Sequence, residues 1–562
     1  MTERRAPAVA ADRHALIVAK DRVIRPSGAY ITDGVDSIGR LLEVVLWCFQ
    51  NNQLGAAGLP AQVWILREAG ESVGWDPDQI DLGEEDDPVD GVIERLDKAT
   101  DELLDPYLAY DGQDGWHLFR AGGADRGESG WRIQLSYQDG KSRYMVDFLL
   151  EGWASLTSRA SHDRLSILGS ESAGTLLDFE DDMDTGRELA RRLIVHVDAL
   201  GVLPGNTPAR TGAALADKIW RPRRKNARDI HKKGGSKSPG PYPRGACPVP
   251  PIPGADAELI EPPIAWSREI RNDDLFDERH GNPDHWKLVT IDQRASYLAS
   301  AGMLNLGLGE LVQYRDDQAE ILALGEKIPF GIWRVRLPAL STLHVPDELP
   351  PPHPAMRQNH AVEAWVTTES IKSLSAPPEA GGAGARILDL EIAECWVTQD
   401  QGMALKTWKE RLAAARKEAQ QAGDRAIYVA INDIYRGYLG RIQNGSLWKG
   451  ALEHHYQPLW AASIRAHARH RNRAKAMKVS AEHGLWPIKG VTDSWSYLVP
   501  DGVSLEDDLD YLGKFQIDSD TLLNEEQLLE LLSTETAGQV SKVIFAIEHP
   551  EVHTDDAEEE EG

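Results

Sequence analysis

Cysteine is scarce: Cys48, Cys247 and Cys395 are the only three in 562 residues. They stand far apart, with no metal-ligand spacing and no disulfide framework, so a reducing, cytoplasmic setting is expected. Long apolar runs are missing too, and Leu42–Phe49 falls far short of a bilayer span, so no membrane partner is expected. The N-terminal residues lack the apolar stretch of a secretory signal, because His14–Ala19 is followed at once by Lys20 and Asp21. Positive charge is in deficit. A formal net charge of -28 argues against indiscriminate nucleic-acid binding over the whole surface.

What is present is a globular composition. Hydrophobic residues at 41% and charged residues at 27% can build several cores, and the length predicts about three or four structural units. The charge is uneven. Asp555–Glu561 is almost wholly acidic and reads as a disordered tail, whereas Lys218–Arg244 and Arg465–Lys478 are rich in Lys and Arg. An acidic body with local basic strips suits a protein that grips a phosphate backbone along one channel. Solvated charge is the plainer alternative for either strip alone.

The first two hundred residues read as one α/β domain. Ala15–Val18 and Val63–Leu66 are short apolar runs of buried-strand type, and Trp131–Tyr137 and Ser142–Phe148 flank an Asp139-Gly140 hairpin turn. Leu189, Leu193 and Val197 make one stripe of a helix over Arg187–Leu200, with Gly201 as its cap. A short helix, Ala213–Trp220, leads into Arg221–Pro263, whose Pro, Gly and Lys content predicts a linker or extended arm. Beyond it, a strand is expected near Ile387–Leu390. A helix is expected over Ala404–Gln421 with Leu405, Trp408, Leu412 and Ala415 inward, and Asp424 caps the next helix, which runs toward Tyr435.

Two segments carry chemistry. In Lys287–Ser300 a β-rich run delivers Asp292 at a strand end, and a helical turn bearing Tyr297 follows. In Pro487–Pro500 two apolar strands flank a tight turn, which puts Asp493 at a hairpin tip. Phosphoryl transfer requires fixed carboxylates that hold two divalent ions about 3.5–4 Å apart. Aspartates on adjacent strands of one sheet meet that need. Either segment alone is a weak signal, since Asp at a strand end is ordinarily a turn or cap residue.

Their order and the intervening pattern add weight. Asp292–Ala299 resembles motif A of family B DNA polymerases, Asp-x-x-Ser-Leu-Tyr-Pro-Ser, and Val491–Ser494 resembles motif C, Asp-Thr-Asp-Ser. Asn432–Gly440 falls where motif B, Lys-x-x-x-Asn-Ser-x-Tyr-Gly, belongs. Further segments resemble the protein-primed branch of linear phages and plasmids: Ile328–Leu337 as a palm strand, Trp408–Arg411 as the start of the fingers, and Tyr456–Arg469 as the palm helix. Thr211–Trp220 resembles the segment joining exonuclease domain to palm.

The resemblance implies an α+β fold. An α/β ribonuclease H-like domain (1–205) would precede a basic linker (206–263) and a palm of antiparallel sheet with helices (264–400 and 451–515). Fingers helices (401–450) would be inserted in the palm, and a short thumb with the acidic tail (516–562) would follow. It implies Asp292 and Asp493 as catalytic ligands of two Mg2+ (or Mn2+) ions, and Tyr297 as the residue beneath the incoming sugar. Asn432 stands at the motif B lysine and Gly440 at its last glycine, with Arg436 and Arg441 as the nearby guanidinium groups able to bind triphosphate. Arg465, Arg469 and Arg473, at i, i+4 spacing, would touch DNA, with Arg223, Arg224 and Lys225 of the arm.

The departures are specific. Leu439 replaces the motif B tyrosine, Val491 replaces the first Asp of motif C, and the proofreading patterns Asp-x-Glu and Tyr-x-x-x-Asp are missing from the first domain. Asp147 is the one candidate remnant of that site. The expected function is template-directed DNA synthesis for a mobile or linear replicon, with DNA primer-template and deoxynucleoside triphosphates as partners and room for a terminal or other replication protein. The alternative is a catalytically weak, polymerase-like DNA-binding replication or telomere-associated factor. A two-metal nuclease using the same aspartates is the third reading.

Overall fold

The computed structural model describes the chain except for residues 1–9, 56–59, 81–88, 111, 120–130, 141, 155–165, 170–172, 178, 180, 206, 233–239, 253–259, 272–273, 275–284, 506–513, 535 and 550–562. The acidic tail expected over Asp555–Glu561 therefore lies outside the described residues. The architecture is α+β, with antiparallel pairing dominant, as expected. Two compact units divide the chain. One is Met1–Pro222 with Glu410–Arg441, and the other is Arg223–Lys409 with Ile442–Gly562.

The first unit holds a seven-stranded sheet. Its strands are β1 (Ala15–Ala19), β2 (Arg22–Ile24), β3 (Tyr30–Asp33), β4 (Ala61–Ile65), β5 (Gly115–Leu118), β6 (Arg132–Asp139) and β7 (Ser142–Leu150), in the order β3-β2-β1-β4-β7-β6-β5. β1, β4 and β7 run parallel at the centre, where β1 and β4 are buried at every position. That burial is why Ala15–Ala19 reads as an unbroken apolar run, since parallel strands are covered on both faces. The antiparallel β6–β7 hairpin turns at Asp139 and Gly140. The helix Asp182–Leu200 ends on Gly201 in the left-handed conformation, φ 70°.

In three places the elements run differently from the expected limits. The stretch from Arg221 is not an extended arm at its start, because one helix runs over Pro208–Lys232, straight through Pro222. Arg, Lys and Ala in that stretch are strong helix formers, and their summed propensity outweighs one proline. Next, the helices Lys406–Gln421 and Arg425–Arg441 form, but 410–441 belongs to the compact unit of the N-terminal domain rather than standing as an independent fingers unit. Glycines permit that packing. A Cβ on Gly212 would lie 2.6 Å from the Cβ of Tyr438, and one on Gly437 would lie 3.0 Å from Pro208. Asp424 pairs with Arg191 while its side chain accepts from the amide of Ile427 (3.1 Å), so the expected cap also ties the helix to the domain.

In the second unit the strands are β8 (Ala265–Ser267), β9 (Trp286–Gln293), β10 (Leu306–Gly307), β11 (Leu311–Arg315), β12 (Gly331–Leu337) and β13 (Val362–Thr367). They continue with β14 (Glu394–Thr398), β15 (Gln401–Gly402), β16 (Pro487–Val491), β17 (Ser494–Pro500) and β18 (Phe515–Leu522). A four-stranded sheet has the order β11-β14-β12-β13, and a five-stranded sheet the order β18-β9-β17-β16-β8. The third difference falls here. Phe515–Leu522 is not the start of a thumb, for it pairs with β9 along its whole length and completes the five-stranded sheet. The strand expected at Ile387–Leu390 is a 3-10 turn, closed by the Arg386–Asp389 ion pair.

Both faces of the five-stranded sheet are covered. Val289, Ile291, Trp495, Tyr497 and Val499 pack with Ala476 and Val479 of the helix Pro458–His483. Trp286, Leu288 and Leu498 face the other way, against Leu531, Val540, Ile544 and Ile547 of the C-terminal helices Glu525–Leu532 and Ala537–Glu548. Side chains alternate along a strand, so this split fixes which residues share a face.

Candidate functional site

Asp292 sits one residue from the end of β9, and Asp493 lies in the turn between β16 and β17. β17 runs beside β9 with Ser494 opposite Asp292, and the amide of Gln293 donates to the carbonyl of Asp493 (3.1 Å). The two acidic residues are remote in sequence, yet a strand and the turn into its neighbour bring them to one end of one sheet. Both are half-buried.

The turn that carries Asp493 is held from two sides. Thr492 has φ 55°, a left-handed conformation that is costly for a β-branched residue. Its amide donates to the carbonyl of Ile264 (2.9 Å), and its own carbonyl accepts from Nδ2 of buried Asn472 on the helix Pro458–His483 (2.8 Å). A second non-glycine residue with positive φ, Ala295 at 50°, turns β9 into the helix Ser296–Met303. The hydroxyl of Ser296 donates to Oε1 of buried Gln293 (2.7 Å) and fixes that corner. Such outliers persist only where surrounding bonds over-determine them.

Tyr297 lies on the helix Ser296–Met303, half-buried, in the same unit as both aspartates. Burial and then the charge of Asp493 push its phenol up to about 12, against the opposing pull of Arg465 and Arg469. The hydroxyl therefore stays protonated at neutral pH.

By alternation, Asp292 shares its face with Thr290, and cross-strand with Ser494, Ser496 and Gln516. Thr290 donates to Oε1 of Glu548 (2.6 Å) and lies 2.9 Å from the hydroxyl of Ser496, and Lys489 pairs with Glu548 at 3.7 Å. The end of the C-terminal helix thus covers the row next to Asp292. The donors of Asp292 and Asp493 are all oxygen, carried by carboxylates. This set fits a hard divalent cation such as Mg2+ or Mn2+ and would not select a soft one. Val491, where a further carboxylate was expected from motif C, is 44% exposed at the end of β16.

The motif B residues lie in the other compact unit, on the helix Arg425–Arg441. Asn432 is buried, and its Oδ1 accepts from Nε of Arg416 (3.1 Å), which also donates to the hydroxyl of Tyr428. Its amide is thereby committed to the core of that unit. Arg436 and Gly440 are exposed on the helix, and Arg441 is half-buried.

The expected DNA-binding face of the helix Pro458–His483 is corrected. Arg469 pairs with Glu261, donates to the carbonyl of Pro352 (3.1 Å) and to Ser370 (2.9 Å), and is buried. Arg473 is fully buried and donates to the carbonyls of Gly381 (3.0 Å) and Pro350. Arg465 is half-buried, bonded to the carbonyl of Glu261 (3.0 Å) and to Gln443 (2.8 Å). The i, i+4 spacing is real, but the face it defines points into packed loops instead of solvent. In the basic stretch, Arg223 donates to the carbonyl of Pro241 (2.6 Å) and to Thr407 (3.1 Å), Arg224 is half-buried, and Lys225 is exposed.

The network around Glu261 has a pH consequence. Burial raises the Glu261 carboxyl, but the Arg469 guanidinium and bonds from Ser370 and Thr367 outweigh it and hold the group at about 2. Nδ1 of His353 accepts from the amide of Ala355 (3.1 Å), so the imidazole is neutral, and burial lowers it to about 4. Below about pH 6.5, His353 takes up a proton in the unfolded chain but not in the folded one, so stability falls as pH drops. The Glu261 contribution is lost in turn between about pH 4.5 and 2. Urea unfolding midpoints are expected to decline steadily from pH 7 to pH 4, and His353→Gln should flatten the upper part of that slope.

Asp147, the candidate exonuclease remnant, is engaged by Arg132 (3.0 Å) and Gln134 (2.7 Å). Asp182, which the sequence did not single out, is buried and accepts from the amides of Glu68 and Ala69 (both 3.2 Å), capping the helix Arg67–Val73. The residue missed near Asp292 is Gln516 on β18; on the helix Pro458–His483 the ammonium of Lys475 stands 5.8 Å from the Phe515 ring centroid. Burial, then Lys478 and, after the opposing pull of Glu482, Lys514 lower Lys475 to about 8. Gln516 belongs to no motif, and only the pairing of β18 with β9 brings it beside Asp292.

No family model matches the chain, and no curated protein matches it. Among solved structures, Phi29 DNA polymerase complexed with primer-template DNA and incoming nucleotides gives a TM-score of 0.47 at 10% identity, over 92% of this chain and 85% of that one. The orthorhombic crystal form of Phi29 DNA polymerase gives 0.43 at 11% identity, over 90% and 85%.

Proposed function

We propose that the chain is a template-directed DNA polymerase of the two-metal type, with Asp292 and Asp493 as the metal ligands. One observation carries this reading: two segments remote in sequence bring Asp292, near the end of β9, and Asp493, in the turn that leads into the adjacent antiparallel β17, to the same end of one sheet. When bound, the ions would lower the barrier by activating the attacking oxygen and neutralising charge on the leaving group. The chain's own residues fix where that happens. Asn472 and Ile264 hold the Asp493 turn, and the Gln293–Ser296 bond holds the corner beyond Asp292. Tyr297, kept neutral by burial and the charge of Asp493, would pack against the sugar and exclude a 2′-hydroxyl. The substrates under this reading are DNA primer-template and deoxynucleoside triphosphates. A mobile or linear replicon is its setting, and a terminal or other replication protein a further partner. Arg436 and Arg441 are the proposed triphosphate contacts; Lys225 and Arg224 are the proposed DNA contacts.

The test is primer extension by the purified chain with Mg2+ or Mn2+ and labelled nucleotides. Tyr297→Ala is expected to raise ribonucleotide incorporation, read as a rise in the ratio of ribonucleotide to deoxynucleotide extension. Unchanged rejection removes Tyr297 from the sugar pocket.

A second reading, a polymerase-like DNA-binding replication factor with little catalysis, is favoured by two observations. Val491 brings no carboxylate to the hairpin, and Asn432, at the motif B lysine, is buried against Arg416. Tight DNA binding without metal-dependent extension would select it.

A further inference from the structure

β18 lies antiparallel to β9 with Gln516 directly opposite Asp292, and the register shifts only farther along, between Ile517 and Ser519. Directly opposite residues in such a pair project from the same face, with Cβ atoms about 4.5–5.5 Å apart. Asp292 is therefore flanked on its own face by Ser494 from β17 and by Gln516 from β18. Gln516 is only 9% exposed, and its Oε1 is buried and accepts no hydrogen bond. A buried acceptor left in that state is destabilising, so an apolar residue would serve packing better. A polar side chain kept at that cost beside a carboxylate points to a positively charged ligand.

We propose that Gln516 is a third oxygen donor to the divalent ion held at Asp292, on the side away from the Asp493 turn. This rests on the reading of Asp292 and Asp493 as a metal pair. An amide oxygen is a hard, neutral donor of the kind that Mg2+, Mn2+ and Ca2+ accept. It occupies the opposite flank from Val491, where the sequence lacks the expected carboxylate. The donor set is then two charged oxygens and one neutral one. Because affinity at such sites follows the number of charged ligands, the site should bind its ion more weakly than a three-carboxylate site would. Restoring charge at position 516 should strengthen it.

The probe is Mn2+ alone, titrated into the full chain, with free hexaaqua Mn2+ read by electron paramagnetic resonance. Gln516→Leu is expected to weaken binding about tenfold, at the low end of what loss of a supporting group costs a metal site. Gln516→Glu is expected to tighten it, and Asp292→Asn to abolish it. Loss with Asp292→Asn but unchanged affinity in both Gln516 variants overturns the proposal and leaves the metal pair standing. Unchanged affinity in Asp292→Asn, or no Mn2+ binding by the wild type, overturns both. Should Gln516→Leu fail to fold, judged by its urea midpoint, Gln516→Glu still decides: equal affinity sinks the proposal.

Discussion

Asp493→Asn is expected to lower the rate of primer extension by about 10²–10³-fold or more while leaving DNA affinity within about twofold of wild type. Asn keeps the shape of the side chain and removes the charge that would hold a metal ion. The turn itself should survive, because its bonds run through the backbone of Thr492 and Asp493 to Asn472, Ile264 and Gln293. DNA affinity, by contrast, should follow the cations of the basic stretch, Lys225 exposed and Arg224 half-buried. Neutralising Arg224 and Lys225 should weaken binding and reduce the slope of its salt dependence by about one for each phosphate that is no longer neutralised. Equal, poor extension by wild type and Asp493→Asn, with tight DNA binding by both, identifies the non-catalytic factor.

Arg469→Met is expected to destabilise the second unit by about 3–5 kcal/mol, the usual cost of stranding one partner of a buried ion pair. Glu261 has no exposed surface, and it accepts from the amide (2.9 Å) and hydroxyl (2.7 Å) of Thr367 and from Ser370 (2.6 Å) besides Arg469. Without the guanidinium, its charge remains buried with only neutral donors. Glu261→Gln combined with Arg469→Met should recover much of the loss, since a neutral amide tolerates burial. Chemical denaturation of the single and double variants measures both quantities. If Arg469 served DNA binding instead, the single variant would unfold like wild type and lose DNA affinity.

The elements that the sequence made plain are those whose local pattern and tertiary setting agree. Leu405, Trp408, Leu412 and Ala415 recur at helical spacing and are all buried. Gly201 caps its helix because only a residue free of Cβ strain takes its positive φ cheaply. The places of Asp292 near a strand end and Asp493 in a hairpin turn were legible for a similar reason: an apolar strand ending in Asp, followed by turn or helix signals, is written in consecutive residues.

The arginines of the helix Pro458–His483 show where that logic stops. Periodicity says that Arg465, Arg469 and Arg473 share a face, but not what the face meets. The partner of Arg469 is Glu261, more than two hundred residues earlier, reached through the packing of loops that carry no pattern of their own. The Pro, Gly and Lys content of Arg221–Pro263 misled in the opposite direction. A single proline is a strong local break signal, yet the helix continues over Pro208–Lys232 because its neighbours favour it.

By itself, then, the sequence determined the mixed α+β class, the two aspartate-bearing segments and the helices that flank them, because each depends on interactions within a few residues. Tertiary structure alone decided that β18 joins β9 and sets Gln516 beside Asp292, and that Glu548 closes the next row. It also decided that two of the three helix arginines are buried and that 410–441 clusters with the N-terminal domain. Each of these depends on pairing between segments far apart in the chain. Strand register and buried charge pairing are settled by which distant groups satisfy one another, and neither leaves a periodic trace in sequence.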